Sequence, residues 1–359
     1  MAFKMKNNTC LFLEKYFFLL FLSFFLNSSA SFAQQKQYSI ASIGFYNCEN
    51  FYDTEDDPEI SDEEYLPSSS KHYTQEIYLD KINHLAKVIG DMGKDVSPDG
   101  VALLGVAEIE NKHVLEDLVK HPNLARQHFS IVHYNSPDKR GVDVGLLYNP
   151  KYFKVLSSRP IELKLYNSDS TRRYTRDVLY VAGIFDGDTV HVLVNHWPSR
   201  VGGEKASQPG RAAAAMISKH IVDSLMAINP FTKVVIMGDL NDDPVSPSVA
   251  EVLQAKGKKE KVEKGGLYNT MYGFYKDGIG TLAYNDAWSL FDQIMISYGW
   301  LHPRRKEYQF YKARVFNEAY LTQTSGNFKG YPLRTFVGDT YMGGYSDHFP
   351  TYVSFVKEK

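Results

Sequence analysis

Apolar residues in this chain occur in short runs that are rich in β-branched side chains and are separated by polar turns. Runs of this length without interior polar positions are typical of strands that are buried on both faces. Residues 234–237, for example, read Val-Val-Ile-Met. The pattern predicts strands over residues 39–46, 101–106, 142–148, 180–185, 190–194, 234–237, 292–297 and 351–356.

Two longer segments, residues 75–92 and 211–226, carry apolar side chains at helical spacing. The apolar positions are Ile77, Leu85, Val88, Ile89 and Met92 in the first segment and Met216, Ile217, Ile221 and Leu225 in the second. Such amphipathic helices cover one face of a sheet. Alternating strands and helices therefore predict an α/β fold with sheets packed together and helices outside.

The N-terminal segment differs from the rest of the chain. An apolar run at residues 17–26 follows Lys4, Lys6 and Lys15, and precedes Ser31-Phe32-Ala33. This pattern predicts a secretory signal peptide over residues 1–33, cleaved after Ala33. A membrane anchor is the alternative, but the run is shorter than the roughly 20 residues that span a bilayer. We expect a periplasmic or secreted protein without stable membrane insertion.

Residues 34–359 show no linker or break in composition, which predicts one domain. The chain is 43% hydrophobic and 23% charged, as in ordinary globular proteins. Without residues 1–33 it has 37 basic and 41 acidic residues, a formal charge of −4. This mild acidity argues against a scaffold that coats nucleic acid. No signal of a protein partner is evident, and a monomer is expected.

One cysteine, Cys48, remains after residue 33, so an internal disulfide is excluded. It lies within an apolar strand pattern, which predicts a buried and unreactive thiol. The stability of an exported domain with a single cysteine must then come from its packed core.

Polar residues with catalytic potential follow several of the predicted strands. They are Asn47 and Glu49, Glu108, Asn195 and His196, Asp239 and Asn241, and the terminal Asp347-His348 pair. Active sites of α/β folds gather at strand ends. Each group alone is also compatible with a turn, a helix cap or a satisfied polar pair. Their recurrence along one chain favours a shared site.

Taken in order, these motifs resemble the endonuclease/exonuclease/phosphatase superfamily from about Ile43 to Val353. That superfamily includes pancreatic-type deoxyribonucleases, abasic-site endonucleases, sphingomyelinases and inositol polyphosphate phosphatases. The resemblance implies a four-layer α/β sandwich, in which two packed mixed β-sheets are flanked by helices. It also implies Mg²⁺, or alternatively Mn²⁺, as the cofactor.

By this resemblance Glu108 binds the metal, Glu49 and Asp347 assist it, and Asn47 orients the phosphate. Asp239 lies beside the attacking water or a metal, and Asn241 donates to the phosphate.

The resemblance also assigns the histidines. His348 is expected to act as general base or to orient the water, with Asp347 as its partner, because a carboxylate on one imidazole nitrogen raises the basicity of the other. Asp292 is expected to support His196, which would protonate the leaving oxygen or stabilise the phosphoryl group. Abasic-site endonucleases carry tyrosine at the position of His196, so this substrate is disfavoured.

Three arginines are further candidates for binding substrate phosphate: Arg140, Arg176 and Arg200. Each could equally be a surface charge or a member of an ion pair. The segment 298–345 is rich in Tyr, Phe and Gly. Its aromatic side chains could stack on bases or sugars, meet a lipid surface, or form the apolar underside of a long loop.

The function predicted from these residues is metal-assisted hydrolysis of phosphoesters, with nucleic acid as the first choice of substrate. The alternatives are a phosphatase or sphingomyelinase-like enzyme that acts on lipid or sugar phosphoesters. A non-catalytic module that binds phosphorylated ligands is a hypothesis from a different class.

Overall fold

The computed structural model describes residue 1 and residues 37–304 and 306–359. Apart from Met1, the predicted signal peptide lies outside the described residues. Residues Tyr38–Lys359 form a compact unit. Among the described residues, no helix is both long and apolar enough to cross a membrane.

The strands of the described part are, in chain order, β1 (Tyr38–Phe51), β2 (Val101–Ile109), β3 (Ser130–His133), β4 (Asp143–Tyr148), β5 (Phe153–Ile161), β6 (Leu165–Tyr166), β7 (Arg172–Arg173), β8 (Val178–Phe185), β9 (Asp188–His196), β10 (Lys233–Asp239), β11 (Leu267–Asn269), β12 (Leu282–Tyr284), β13 (Ala287–Ser289), β14 (Asp292–Ser297), β15 (Gln309–Val315), β16 (Phe336–Val337), β17 (Thr340–Tyr341) and β18 (Thr351–Glu358). The α-helices are α1 (Gln75–Asp91), α2 (Lys112–Lys120), α3 (Glu204–Ile228), α4 (Tyr272–Lys276) and α5 (Tyr298–Leu301).

Two six-stranded sheets dominate the fold. The first has the order β15-β18-β1-β2-β4-β3, and the second has the order β11-β14-β10-β9-β8-β5. Both are mixed, since β1 runs parallel to β2 and antiparallel to β18, while β10 runs parallel to β9 and antiparallel to β14. The architecture confirms the predicted mixed α/β fold.

Side chains of β10 show how the layers are stacked. Val235 and Met237 belong to the core that also contains residues of β1 and β2, whereas Val234 and Ile236 pack with residues of α3. Successive side chains of a strand point to opposite faces, so one face of β10 meets the other sheet and one meets a helix. A Cβ atom at Gly105 of β2 would lie 2.5 Å from Met237 Sδ, which shows how closely the two sheets approach.

The outer face of the first sheet is covered by α1 and α2, whose apolar residues join the same core as β1 and β2. Helix α3 covers the second sheet through Ala214, Ala215, Val222 and Met226. The order is therefore helix, sheet, sheet, helix. The predicted burial of Cys48 is confirmed, since its side chain is fully buried and forms no disulfide.

Strand direction brings the candidate residues to one end of the sandwich. His196 and Asp239 end the parallel strands β9 and β10 and are register partners. Asp292 begins β14, which is antiparallel to β10, and pairs with Asp239. The Asp347-His348 pair stands directly before β18. Topology alone thus gathers residues from distant parts of the chain.

Three of the differences from the predicted elements have a clear physical reason. Strand β5 was not predicted because it is an edge strand with many polar and exposed positions. Edge strand β15 was missed for the same reason. Helix α3 begins at Glu204, seven residues earlier than the apolar pattern indicated, and contains Pro209. Proline is disfavoured inside helices, so the sequence placed the start after it.

Candidate active site

Glu108, His196 and Asp239 form the centre of the site. One ligand atom from each lies within 4.8 Å of the others. His196 Nε2 is 3.8 Å from Glu108 Oε1 and 3.7 Å from Asp239 Oδ2. His196 and Asp239 are buried, whereas Glu108 is partly exposed. The cluster can thus be reached from solvent on the side of Glu108.

Asn47 connects the two carboxylates of this cluster through hydrogen bonds. Its Nδ2 donates to Asp239 Oδ2 at 3.1 Å and to Glu108 Oε1 at 3.3 Å, while its Oδ1 accepts from the backbone N–H of Glu49. An amide that donates to two carboxylates holds them at a fixed separation. The prediction that Asn47 belongs to the site is consistent with this position, but its contacts are to carboxylates of the protein.

The backbone is strained at this end of the sheets. Glu49, Glu108 and Asn241 have φ values of 52°, 57° and 49°, in the left-handed region that non-glycine residues rarely adopt. Such conformations persist only where surrounding contacts enforce them, and they concentrate at functional sites. Gly238 allows β10 to approach β9 here, because a Cβ atom at this position would collide with the carbonyl oxygen of Asn195.

His348 is oriented by Asp292, with its Nδ1 2.7 Å from Asp292 Oδ2. Its Nε2 then points toward Asp239 Oδ2 and Asp347 Oδ1, each 3.9 Å away. The structure corrects two predicted pairings, since Asp292 supports His348 instead of His196, and Asp347 is not the residue that fixes the His348 ring. The reason is register, because Asp292 opens a strand that faces the segment before β18.

The two histidines have opposite electrostatic environments. Burial, reinforced by Arg176 and Arg140, holds the pKa of His196 well below its usual value. For His348 burial also lowers the pKa, but the carboxylates of Asp292 and Asp239 outweigh it and raise the pKa well above the usual value. The surroundings therefore favour the uncharged form of His196 and the charged form of His348. The roles of His196 as proton donor and of His348 as general base stay predictions.

Asp239 lies between the two histidines. Burial, together with the charges of Asp292 and Glu108, raises the pKa of Asp239 to about 7, although His348 opposes this shift. Its Oδ1 accepts from the backbone N–H of Asn241, which leaves Oδ2 directed into the cluster. A carboxyl group with a pKa near neutrality can exchange protons at physiological pH.

A second acidic centre is built around Glu49. Its Oε2 accepts from the backbone N–H of Thr335 at 2.7 Å and lies 4.0 Å from Lys81 Nζ. Burial and the neighbouring Asp347 raise the pKa of Glu49 to about 7. Asp347 itself accepts from Arg334 at 3.0 Å. Among the described residues, Glu49 and Asp347 therefore lie outside the Glu108 cluster, although both were predicted as metal ligands beside Glu108.

The chain matches the endonuclease/exonuclease/phosphatase family over residues 42–357. The chain belongs to this family. Members of the family are metal-dependent hydrolases of phosphoester bonds, and the predicted enzyme class is confirmed. None of the curated proteins matches the chain in sequence.

Solved structures with similar folds include TDP2 of D. rerio complexed with single-strand DNA product, at 14% identity and a TM-score of 0.52, covering 88% of this chain and 99% of that one. A mannosyl-6-phosphatase of Bacteroides thetaiotaomicron gives the same values. A further family protein of B. thetaiotaomicron shows 13% identity, a TM-score of 0.52, and coverage of 90% and 99%.

The central cluster fits the divalent metal on which the family depends. Among the described residues, neither Glu108 nor Asp239 forms an ion pair with lysine or arginine, and the imidazoles of His196 and His348 are their ion-pair partners at 3.7–3.9 Å. Carboxylate oxygens are the ligands that Mg²⁺ and Mn²⁺ prefer. Glu108, Asp239 and His196 are thus the residues that would hold the metal.

The three candidate arginines differ in availability. Arg176 is buried and donates to Asp138 Oδ2 and to the backbone oxygen of Trp197. Arg200 donates to the backbone oxygen of Asn241 and forms ion pairs with Asp242, Asp243 and Glu204. Of the three, Arg140 has the most exposed guanidinium, 3.7 Å from Asp138. Arg140 therefore remains the best candidate for binding phosphate, whereas Arg176 and Arg200 brace the loops of the site.

Asn241 is held in a similar way, because its Nδ2 donates to the backbone oxygen of Trp197 at 3.0 Å. The bond fixes the loop after β10 to the end of β9. Donation from Asn241 to a substrate phosphate would require this bond to break.

Sequence reasoning missed Lys81. Its side chain is 1% exposed, and its Nζ donates to Thr335 Oγ1 at 2.5 Å and to the backbone oxygen of Tyr345 at 2.9 Å. A signal was present, since Lys81 lies four residues after Ile77 and four before Leu85, on the apolar face of the helix. Lys81 connects α1 to the segment that leads to Asp347.

Replacement of Lys81 with methionine is expected to lower the free energy of unfolding by about 2–3 kcal/mol, because Glu49 keeps its buried position but loses its cation. Urea unfolding measures this. Lys87→Met, a change at a more exposed lysine of the same helix, serves as control and should cost under about 1 kcal/mol. Equal effects of the two changes would contradict a special role of Lys81.

Glu110 gives a prediction for pH. Burial raises its pKa to about 8, although the carboxylate accepts from the backbone N–H of Asp53. The unfolded chain loses this proton near pH 4.5, so between about pH 4.5 and 8 the folded state binds more protons and stability falls as pH rises. Glu110→Gln, which keeps the acceptor oxygen, should raise the free energy of unfolding by roughly 1–3 kcal/mol at pH 8.5 and by much less at pH 5. Denaturation curves of the wild type and of Glu110→Gln at both pH values measure this effect. A difference in stability that does not depend on pH would refute the raised pKa of Glu110.

Proposed function

We propose that this chain is an exported Mg²⁺-dependent phosphodiesterase that cleaves nucleic acid. The observation that carries the proposal is the cluster of Glu108, Asp239 and His196 beside the hydrogen-bonded pair of His348 and Asp292. The first group suits a divalent cation, and the second supplies a fixed proton donor 3.9 Å from Asp239. Together they provide the groups required for hydrolysis of a phosphoester.

A divalent ion bound by Glu108, Asp239 and His196 would polarise a non-bridging phosphoryl oxygen and offset the negative charge that develops there. Mg²⁺ is the first choice because oxygen ligands predominate around the site.

Three side chains of the protein have separate roles in the proposed reaction. His348 donates from Nε2 toward the phosphoryl group, with its ring held by Asp292. Asp239 accepts a proton from the attacking water as the bond between phosphorus and the leaving oxygen breaks, and the leaving oxygen takes up a proton from solvent. A separation of 3.9 Å between His348 Nε2 and Asp239 Oδ2 is too long for a direct hydrogen bond and leaves room for a bridging group. Arg140 pairs with an oxygen of the substrate.

Nucleic acid is the preferred substrate because two arginines with exposed guanidinium groups come from separate parts of the chain. Arg140 follows β3, and Arg334 contacts Asp347. Guanidinium groups match phosphate oxygens, and a polynucleotide presents several phosphates. The similar D. rerio structure was solved with a single-strand DNA product, which supports this choice.

A sugar phosphate monoester is the second candidate. It is favoured by the similar fold of the mannosyl-6-phosphatase of B. thetaiotaomicron. The two proposals differ in the ester that is cleaved, since a monoesterase must accommodate a dianionic terminal phosphate.

Model esters separate the candidates. We expect bis(p-nitrophenyl) phosphate to be hydrolysed in the presence of Mg²⁺ at least tenfold faster than p-nitrophenyl phosphate at equal concentration. The reverse order would overturn the diesterase proposal and support the phosphatase. Absence of turnover of both esters and of DNA, with intact metal binding, would favour the non-catalytic binding module.

Export is proposed from the N-terminal pattern, with cleavage after Ala33. N-terminal sequencing of protein recovered from outside the cytoplasm should give Gln34 as the first residue. Recovery of the full-length chain from the cytoplasm alone would contradict export. A monomer and a single domain over residues 34–359 are proposed with it and can be checked by light scattering.

A further inference from the structure

An aromatic cavity of about 210 Å³ lies between the β12–β13 hairpin and the segment 323–337. Its lining includes Tyr284, Phe328, Tyr331, Val337, Gln323 and Arg334. The chemistry described above does not use this cavity. It is built from the Tyr- and Phe-rich part of the chain, for which the sequence left several interpretations open.

Arg334 connects the cavity to the site. It lines the cavity, and its NH2 group donates to Asp347 Oδ2 at 3.0 Å. Asp347 Oδ1 in turn lies 3.9 Å from His348 Nε2. The next residue, Thr335, donates its backbone N–H to Glu49. The cavity and the acidic centre therefore share one short segment of chain.

The ring of Tyr331 is held in place before any ligand arrives. The Tyr331 hydroxyl donates to Asp286 Oδ1 at 2.6 Å and accepts from the Asp286 N–H at 2.7 Å. Its ring centroid lies 5.8 Å from that of Trp288, which stacks on Phe349 at 6.0 Å. Phe349 directly follows His348. Fixed rings reduce the entropy that a ligand would lose on binding.

At the surface the cavity presents large aromatic side chains that the fold does not cover. Tyr284 is 76% exposed and Phe328 is 49% exposed. Aromatic rings left open beside a polar site are typical of ligand surfaces, and every nucleobase can stack on such a ring. The amide of Gln323 and the guanidinium of Arg334 can bond polar atoms at the edge of a base.

We propose that this cavity binds the nucleobase of the nucleotide whose phosphate is cleaved. The proposal rests on the phosphodiesterase function proposed above and specifies its substrate. A base is favoured over an acyl chain because the cavity is short and carries polar groups. It is favoured over a sugar because most of the lining side chains are aromatic or aliphatic.

The experiment compares two diesters with the same leaving group. One is the p-nitrophenyl ester of thymidine 5′-phosphate, which has a base, and the other is methyl p-nitrophenyl phosphate, which has none. We expect kcat/KM to be roughly tenfold or more higher for the thymidine ester, since stacking of one base contributes a factor of this order.

The double variant Tyr284→Ala/Phe328→Ala removes two exposed rings of the cavity. It should lose most of the preference for the thymidine ester while keeping its rate on the methyl ester. Tyr311→Ala is the matched control, because Tyr311 is 54% exposed on edge strand β15 and does not line the cavity. A preference that persists in the double variant would overturn the proposal.

The outcome also separates this proposal from the proposed function. Cleavage of both esters at equal rates by the wild type would overturn the base site and leave the diesterase intact. If neither ester is cleaved, the diesterase proposal fails, and the base site is then tested by the binding of a nucleotide. Thymidine 5′-monophosphate should then change the fluorescence of Trp288 in the wild type, but not in the double variant. Absence of this change would overturn the base site as well.

Discussion

Replacement of His348 with alanine is expected to lower kcat for a phosphodiester by about three orders of magnitude. The imidazole is the proposed proton donor, 3.9 Å from Asp239, and general acid–base groups contribute about 10²- to 10⁴-fold. Its ring is fixed by Asp292, so Asp292→Asn should cost about 10²-fold. Steady-state kinetics at saturating Mg²⁺ measure both losses.

A double-variant cycle tests which carboxylate serves His348. Asp292 and His348 act as a unit, so the combined variant should be no slower than His348→Ala alone. Asp347 is paired with Arg334, and Asp347→Asn combined with His348→Ala should be slower than either single variant. Additive losses for Asp292 and non-additive losses for Asp347 would restore the pairing that the sequence suggested.

Replacement of Glu108 with glutamine is expected to abolish tight binding of the divalent ion and to lower kcat/KM by about 10³-fold. The change removes one of the two negative charges of the cluster and leaves a neutral amide, which binds hard cations weakly. Titration calorimetry with Mn²⁺ measures the affinity directly and does not depend on turnover.

Glu49→Gln is the matched control for Glu108. Glu49 bonds Thr335 and lies near Lys81, so its substitution should weaken Mn²⁺ binding far less than Glu108→Gln. A larger loss of affinity for Glu49→Gln would place the main metal at the second acidic centre and contradict the assignment.

The sequence predicted the position of the site better than its internal contacts. Apolar runs that end in polar residues identified the ends of β1, β2, β9 and β10, because strand burial leaves a strong local pattern. The pairing of Asp292 with His348 depends on the register of β14 and on the path of a segment 56 residues away. No local pattern encodes such a contact.

Edge strands and buried charged residues were also not predicted from the sequence. Strand β5 faces solvent along most of its length, so its sequence lacks an apolar run. Lys81 stood on the apolar face of a predicted helix, yet a lysine there is usually solvated through its long side chain. Only the fold shows that Thr335, Tyr345 and Glu49 surround its amino group.

The electrostatic roles of the histidines also depend on tertiary structure. Adjacency in the motif suggested that His348 is the base. The carboxylates of Asp292 and Asp239 instead raise the pKa of His348 against the effect of burial, while burial and Arg176 lower the pKa of His196. A pKa reflects the charges and solvent around a group, which the order of residues does not give.

The central claim is that the cluster of Glu108, His196 and Asp239 makes the chain a metal-dependent phosphodiesterase. The most direct test is a time course of supercoiled plasmid nicking in Mg²⁺, with EDTA and the Glu108→Gln variant as comparisons. We predict relaxed plasmid only in the reaction that contains the wild type and Mg²⁺ without EDTA. Equal nicking in EDTA or by Glu108→Gln, or intact plasmid with the wild type in Mg²⁺, would contradict the claim.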